Sequence, residues 1–121
     1  MTSCKTTPSH APQDVAWADS IVDQSTAIME GSTPKALVHF LDSAFGTKKD
    51  LGKRALWRKY RCMVNYYEYY YQDTAARRVY VDSMLWSSKN DKELHSYEYS
   101  RSLYAMAKLL QKERHFNEAF K

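Results

Sequence analysis

The sequence predicts an all-α protein: an antiparallel three-helix bundle over about residues 50–114, preceded by two shorter helices. Three observations carry this reading. Gly 3 and Pro 3 in 121 residues fall well below average usage, where glycine alone runs at about 7%. A sandwich, barrel or propeller needs a turn signal about every 8–12 residues, and this chain does not supply them. Apolar residues instead recur at helical spacing, in segments separated by Asp, Thr, Pro and Gly. Hydrophobic residues at 44% and charged residues at 26% place the chain among globular proteins. No apolar run approaches the roughly 20 residues of a membrane span.

Residues 1–13 are polar, hold two of the three prolines and read as a flexible tail. They lack the apolar stretch of a secretory signal. They are Ser/Thr-rich and acid-free, but with Lys5 as their only basic residue they make a weak transit signal. Residues 14–49 read as a helical extension. Asp14 is the expected cap of a first helix carrying Trp17, Ile21, Ile28 and Met29, which Gly31 ends. Thr33 caps a second, with Pro34 in its first turn and Leu37, Val38, Phe40, Leu41, Ala44 and Phe45 at helical spacing. Gly46 stops it.

Residues 50–121 read as the three-helix domain. Asp50 is the expected cap of a third helix, on which Leu56, Tyr60, Met63, Val64 and Tyr67 form one apolar stripe. Arg54, Arg58 and Arg61 form a separate stripe on the same helix. The run from Tyr66 to Tyr71 has no clean period, so a break falls within it, and Asp73 caps the next helix. That fourth helix, about 74–88, carries Ala76, Val79, Tyr80 and Met84 on one side. Lys89-Asn90 is a turn and Asp91 caps the last helix, whose expected buried stripe is Tyr99, Leu103, Met106, Ala107 and Leu110. Lys108, Lys112 and Arg114 suit its C-terminal end, and 115–121 frays or lies on a partner.

Little in the sequence suggests catalysis. Cys4 and Cys62 make no disulfide framework or paired-cysteine metal motif, and His10, His39, His95 and His115 lack metal-ligand spacing. Gly31, Gly46 and Gly52 are isolated, so no loop cradles phosphate. Glu68, Asp73 and Asp82 show no spacing that marks an acid–base pair. The expectation is a non-enzyme with no cofactor of its own.

Charge is the first functional hint. The net charge is +4, divided as −2 over residues 1–50 and +6 over 51–121 from four Lys against six acids and fourteen Lys/Arg against eight. Lys53, Arg54, Arg58, Lys59 and Arg61 place five positive charges in nine residues. Arginine pairs bidentately with carboxylate or phosphate, so the strip suits an acidic partner; a solvated helix face is the plainer alternative. All ten tyrosines lie between Tyr60 and Tyr104, which suits packing and interfaces. Beside a basic strip they also admit base stacking, so an RNA-binding helical module is the rival from another class.

At Leu56-Trp57-Arg58 the chain resembles the LYR family, small mitochondrial three-helix proteins named for Leu-Tyr-Arg near the start of their first core helix. Trp57 replaces the tyrosine. Tyr67 falls where an aromatic is common late in that helix, and Arg77-Arg78 where a basic pair opens the next. Lys89-Asn90-Asp91-Lys92-Glu93 is similar to the turn joining the second and third helices. The family's downstream phenylalanine appears here as Leu85 beside Trp86. The interval from Leu56 to Lys89 fits the family's respiratory complex I accessory subunit without a gap, and its cysteine-desulfurase partner almost as well. The likeness covers residues 51 to about 114.

The resemblance implies a non-catalytic adaptor on the matrix side of the mitochondrial inner membrane, docking an acidic acyl carrier protein within a large respiratory complex. Arg54, Leu56, Trp57, Arg58, Lys59, Arg61, Arg77 and Arg78 would meet the carrier. Its acyl-phosphopantetheine arm would lie between the helices, lined by Tyr60, Met63, Val64, Tyr67, Val79, Met84, Leu85, Leu103, Met106 and Leu110. Iron–sulfur cluster assembly or the mitochondrial ribosome is the alternative setting within the family.

Overall fold

A computed structural model describes residues 11–89 and 96–119. They form α1 (Ala11–Met29), α2 (Pro34–Phe45), α3 (Lys53–Tyr69), α4 (Thr74–Ser88) and α5 (Ser96–Ala119), with no strand among the described residues. The chain is all-helical. None of these helices is long and apolar enough to cross a membrane.

Local chemistry sets most of the boundaries. Thr33 caps α2 by accepting the Ala36 N–H at 3.1 Å, with Pro34 in the first turn. Asp73 caps α4 by accepting the Ala76 N–H at 3.0 Å. The tyrosine run breaks as its lack of period predicts: α3 ends at Tyr69 and Tyr70 is its C-cap. Gly31 ends α1 at φ +83°, a backbone region that glycine enters without steric cost.

Two expected caps are corrected. α1 begins three residues before Asp14, at Ala11, because Pro12 suits a first turn, where its missing N–H costs nothing. Asp14 lies in that first turn, favourably placed against the helix dipole. Asp50 does not cap α3. It adopts φ +59°, a left-handed conformation that Asp enters more readily than most residues, and Gly52 is the N-cap, without a side-chain bond. Asp91, expected to cap the last helix, lies outside the described residues, as does the Asn90–Glu93 turn.

α3 is the central element. It packs against α1 on one side and α4 on another, while α4 packs on α5 and α1 on α2. Its burial is therefore broader than one stripe: Ala55, Trp57, Cys62 and Tyr66 are buried along with Met63, Val64 and Tyr67. Two apolar clusters flank it. Ala18, Met29, Leu37, Leu41 and Phe45 from α1 and α2 meet Ala55, Cys62, Met63, Tyr66 and Tyr67 of α3. Across the helix, Trp57 and Val64 meet Val81 and Met84 of α4 and Leu109 of α5.

The first cluster is closed by polar bonds at its edge. Tyr66 donates its hydroxyl to the Ser32 carbonyl at 2.7 Å, and Trp17 meets Phe45 edge-on at 5.1 Å between ring centroids. Cys62 Sγ lies 3.2 Å from Ser25 Oγ, and burial pushes its thiol up from the ordinary range. A raised thiol pKa means little thiolate at neutral pH, so Cys62 is a packing residue.

The buried face of α5 differs from the expected one. Glu98, Ser102 and Leu109 face inward, with Ala105 and Met106 packed beside them. Leu103 and Leu110 are each 47% exposed, and Ala107 is exposed. The helix is turned about one position, roughly 100°, from the orientation its apolar residues alone favour. Polar partners on α3 set this rotation.

Candidate functional site

Those partners form a cation network at the start of α3. Arg58 Nη1 donates to Glu98 Oε2 at 2.6 Å and to the Arg54 carbonyl at 3.1 Å, while its Nε donates to Asp19 Oδ1 at 3.3 Å. The residue at the third position of Leu56-Trp57-Arg58 thus ties α5 and α1 to α3. Arg54 donates to the same Glu98 oxygen through Nε at 3.2 Å and Nη2 at 3.1 Å. Burial pushes the Glu98 carboxyl up, but the hydrogen bonds from Arg58, its own backbone and Arg54 together hold it below the usual carboxylate range.

Trp57 is fully buried and donates its indole N–H to Ser102 at 2.8 Å. Arg58 and Arg61 stand over its ring at 5.2 and 5.6 Å. Its expected place on a docking face is therefore corrected: an indole with an internal acceptor is more stable inside. Leu56 is half-buried against the first cluster.

The other expected cations are also engaged within the chain. Lys59 pairs with Asp42 at 2.6 Å, Arg78 with Glu113 at 3.0 Å, and buried Arg77 with Glu68 at 3.6 Å. The arginine stripe is thus largely an internal clamp and not a solvated row. A pairing between charges about forty residues apart has no local sequence signal.

The residues expected to line an acyl chain separate into three groups. Met63 and Tyr67 are buried in the first cluster. Val64 and Met84 are buried in the second, with Tyr60 and Met106 packed against it, and Leu85 is half-buried. Val79 at 60% exposure, Leu103 and Leu110 face outward. No single passage gathers all ten.

A cleft of about 280 Å³ opens between α3, α4 and α5. Val64, Met84 and Ala105 give it an apolar lining, and Arg61, Arg101 and Lys108 give it positive charge. Val64 and Met84 belong to the second cluster as well, so the cleft opens directly onto that core. Arg61 reaches Tyr97 at 3.4 Å, and Arg101 stands over Tyr104 at 5.8 Å. Lys108 pairs with Glu68, whose hydrogen bond raises the lysine pKa against the opposing effect of burial. Arg101 and Ala105 have no signal in the sequence, and Lys108 reads there only as a cation suited to the helix C-terminus, because all three gain this meaning only once α5 is turned. Among the described residues, no cluster of His, Cys, Asp and Glu is placed to hold a metal ion.

Compared with protein-family models, with curated proteins and with solved structures, the chain matches none.

Proposed function

We propose that this chain is a non-catalytic helical adaptor that docks an acidic acyl carrier protein and takes the acylated phosphopantetheine arm into the cleft between α3, α4 and α5. One observation carries the reading: Val64, Met84 and Ala105 share a cleft with Arg61, Arg101 and Lys108, against Glu68 as its one acid. Such a site meets a phosphate with cations and an acyl chain with carbon. Each buried methylene contributes about 0.8 kcal/mol, so even a short length of chain adds useful affinity. Cations around the opening speed and orient the approach of an acidic protein.

Within this reading the docking charge moves along α3 and onto α5. Arg54 and Arg58 hold Glu98, leaving Arg61 and Arg101 as the arginines beside the cleft. The spacing from Leu56 to Lys89 supports an accessory subunit of mitochondrial respiratory complex I as the larger setting. Iron–sulfur cluster assembly and the mitochondrial ribosome are the alternative settings for the same docking chemistry.

The decisive experiment is native mass spectrometry of the protein purified from mitochondria, followed by pull-downs with Arg101→Glu and Ala105→Trp. The wild type should carry an acylated carrier. Arg101→Glu should weaken capture on the order of tenfold, as charge reversal does at a complementary interface. Ala105→Trp should fill the cleft and exclude the acyl chain. Carrier capture undiminished in both variants, or no carrier in the native complex, would overturn the reading.

A further inference from the structure

We propose that a second cleft, between the end of α3, the start of α4 and the later turns of α5, binds a small phosphoryl anion on the side-on edge of Arg77. This cleft measures about 380 Å³ and is lined by Glu68, Tyr69, Arg77, Lys108, Gln111 and Lys112. Arg77 is 3% exposed, which makes a guanidinium the most deeply buried of its lining groups. Arginine is seldom buried without close partners.

Arg77 is only loosely satisfied. Its Nε has no hydrogen-bond partner among the described residues. Its Nη2 lies 3.6 Å from Glu68 Oε1, beyond ordinary hydrogen-bond length. Nε and Nη2 together form the side-on edge of the guanidinium, the edge that accepts two oxygens of a phosphate or carboxylate. The nearby acid is committed elsewhere, because Glu68 also pairs with Lys108 through its other oxygen.

Charge favours an oxyanion of more than one negative charge. Arg77, Lys108 and Lys112 line the cleft against Glu68 as its single acid, leaving two positive charges over. Lys112 is held in place by Gln72 Oε1 at 2.8 Å, a neutral acceptor. A phosphate dianion balances this excess and, unlike chloride, offers two oxygens to the Nε–Nη2 edge, which it reaches by displacing Glu68 from Nη2 and uncovering the buried, unpartnered Nε. Glu68, Tyr69 and Lys108 line both clefts, whereas Arg77, Gln111 and Lys112 belong to this one alone, so Arg77 and Lys112 report on it separately from carrier docking next door.

Titration of the full chain with inorganic phosphate, against sodium chloride at equal ionic strength, tests the site by calorimetry and by NMR of the arginine side chains. Phosphate should shift the Arg77 Nε–H resonance saturably, and chloride should not. Arg77→Lys should weaken binding on the order of tenfold. Lys112→Glu, at an exposed position, should weaken it several-fold and keeps the test valid if Arg77→Lys does not fold. Glu68→Gln, which removes the competing acid, should tighten it. A parallel titration with phosphopantetheine separates the sources: affinity well above that of phosphate assigns the site to the arm's phosphate, and equal affinity to free phosphate. An unmoved Arg77 resonance, or equal binding by Lys112→Glu and wild type, would sink the proposal.

Discussion

The two sides of α3 are built differently. Among the described residues, ten buried ones toward α1 and α2 join one cluster, with large side chains such as Leu37, Leu41, Phe45 and Tyr66. Toward α4 and α5, five do. The second side compensates with polar groups. Ser87, Ser88, Glu98, Ser102 and Arg77 are all buried there, and both clefts open on it. A core of carbon needs only volume and shape, whereas a core with buried charge needs each partner in place. The first side is therefore suited to holding the fold, and the second to receiving something.

The severest way to break this contrast is at Trp57, the largest residue of the smaller cluster. Trp57→Ala removes its packing against Val81, Met84 and Leu109 and leaves Ser102 without its indole donor. Loss of about 3–5 kcal/mol is expected, read from urea unfolding. A loss below about 1 kcal/mol would mean that the second side contributes little.

Paired truncations sharpen the comparison. Leu41→Ala and Leu109→Ala each remove a fully buried leucine, at a cost of about 2–5 kcal/mol. Leu41 should lie toward the upper end, because its closely packed surroundings collapse less easily than a site beside open clefts. The reverse order in chemical denaturation would overturn the ranking of the two sides.

The smallest expected effect concerns Glu98. Its folded pKa is lowered from the usual 4.5. The stability it contributes is therefore complete above that value and is lost as pH falls through the lower, folded one. Glu98→Gln should cost about 1–3 kcal/mol at neutral pH and flatten the acid limb of a stability–pH curve. An unchanged acid limb would show that Arg54 and Arg58 do not depend on this carboxylate.

The sequence made the helices legible through local chemistry. Thr33, Pro34, Gly31 and Asp73 act within a few residues of themselves, and the patternless tyrosine run marked the break at Tyr70. Asp50 misled because a short acid near a helix start serves either as a cap or as a left-handed turn residue. The face of α5 was not legible. Glu98 and Ser102 look like surface residues until Arg54, Arg58 and Trp57 arrive from 40 to 45 residues away. The clefts share that dependence: Val64 and Met84 could be chosen from their stripes, whereas Ala105, Arg101 and Lys108 required the turned helix.

A protein with two separate cores ordinarily offers two melting steps, one for each. Here both cores lean on α3, which supplies Met63 and Tyr66 to one and Trp57 and Val64 to the other. Neither can come apart without unmaking the other's wall. Heat should thus take the molecule through one cooperative event, and damage on either side should be felt across the whole chain.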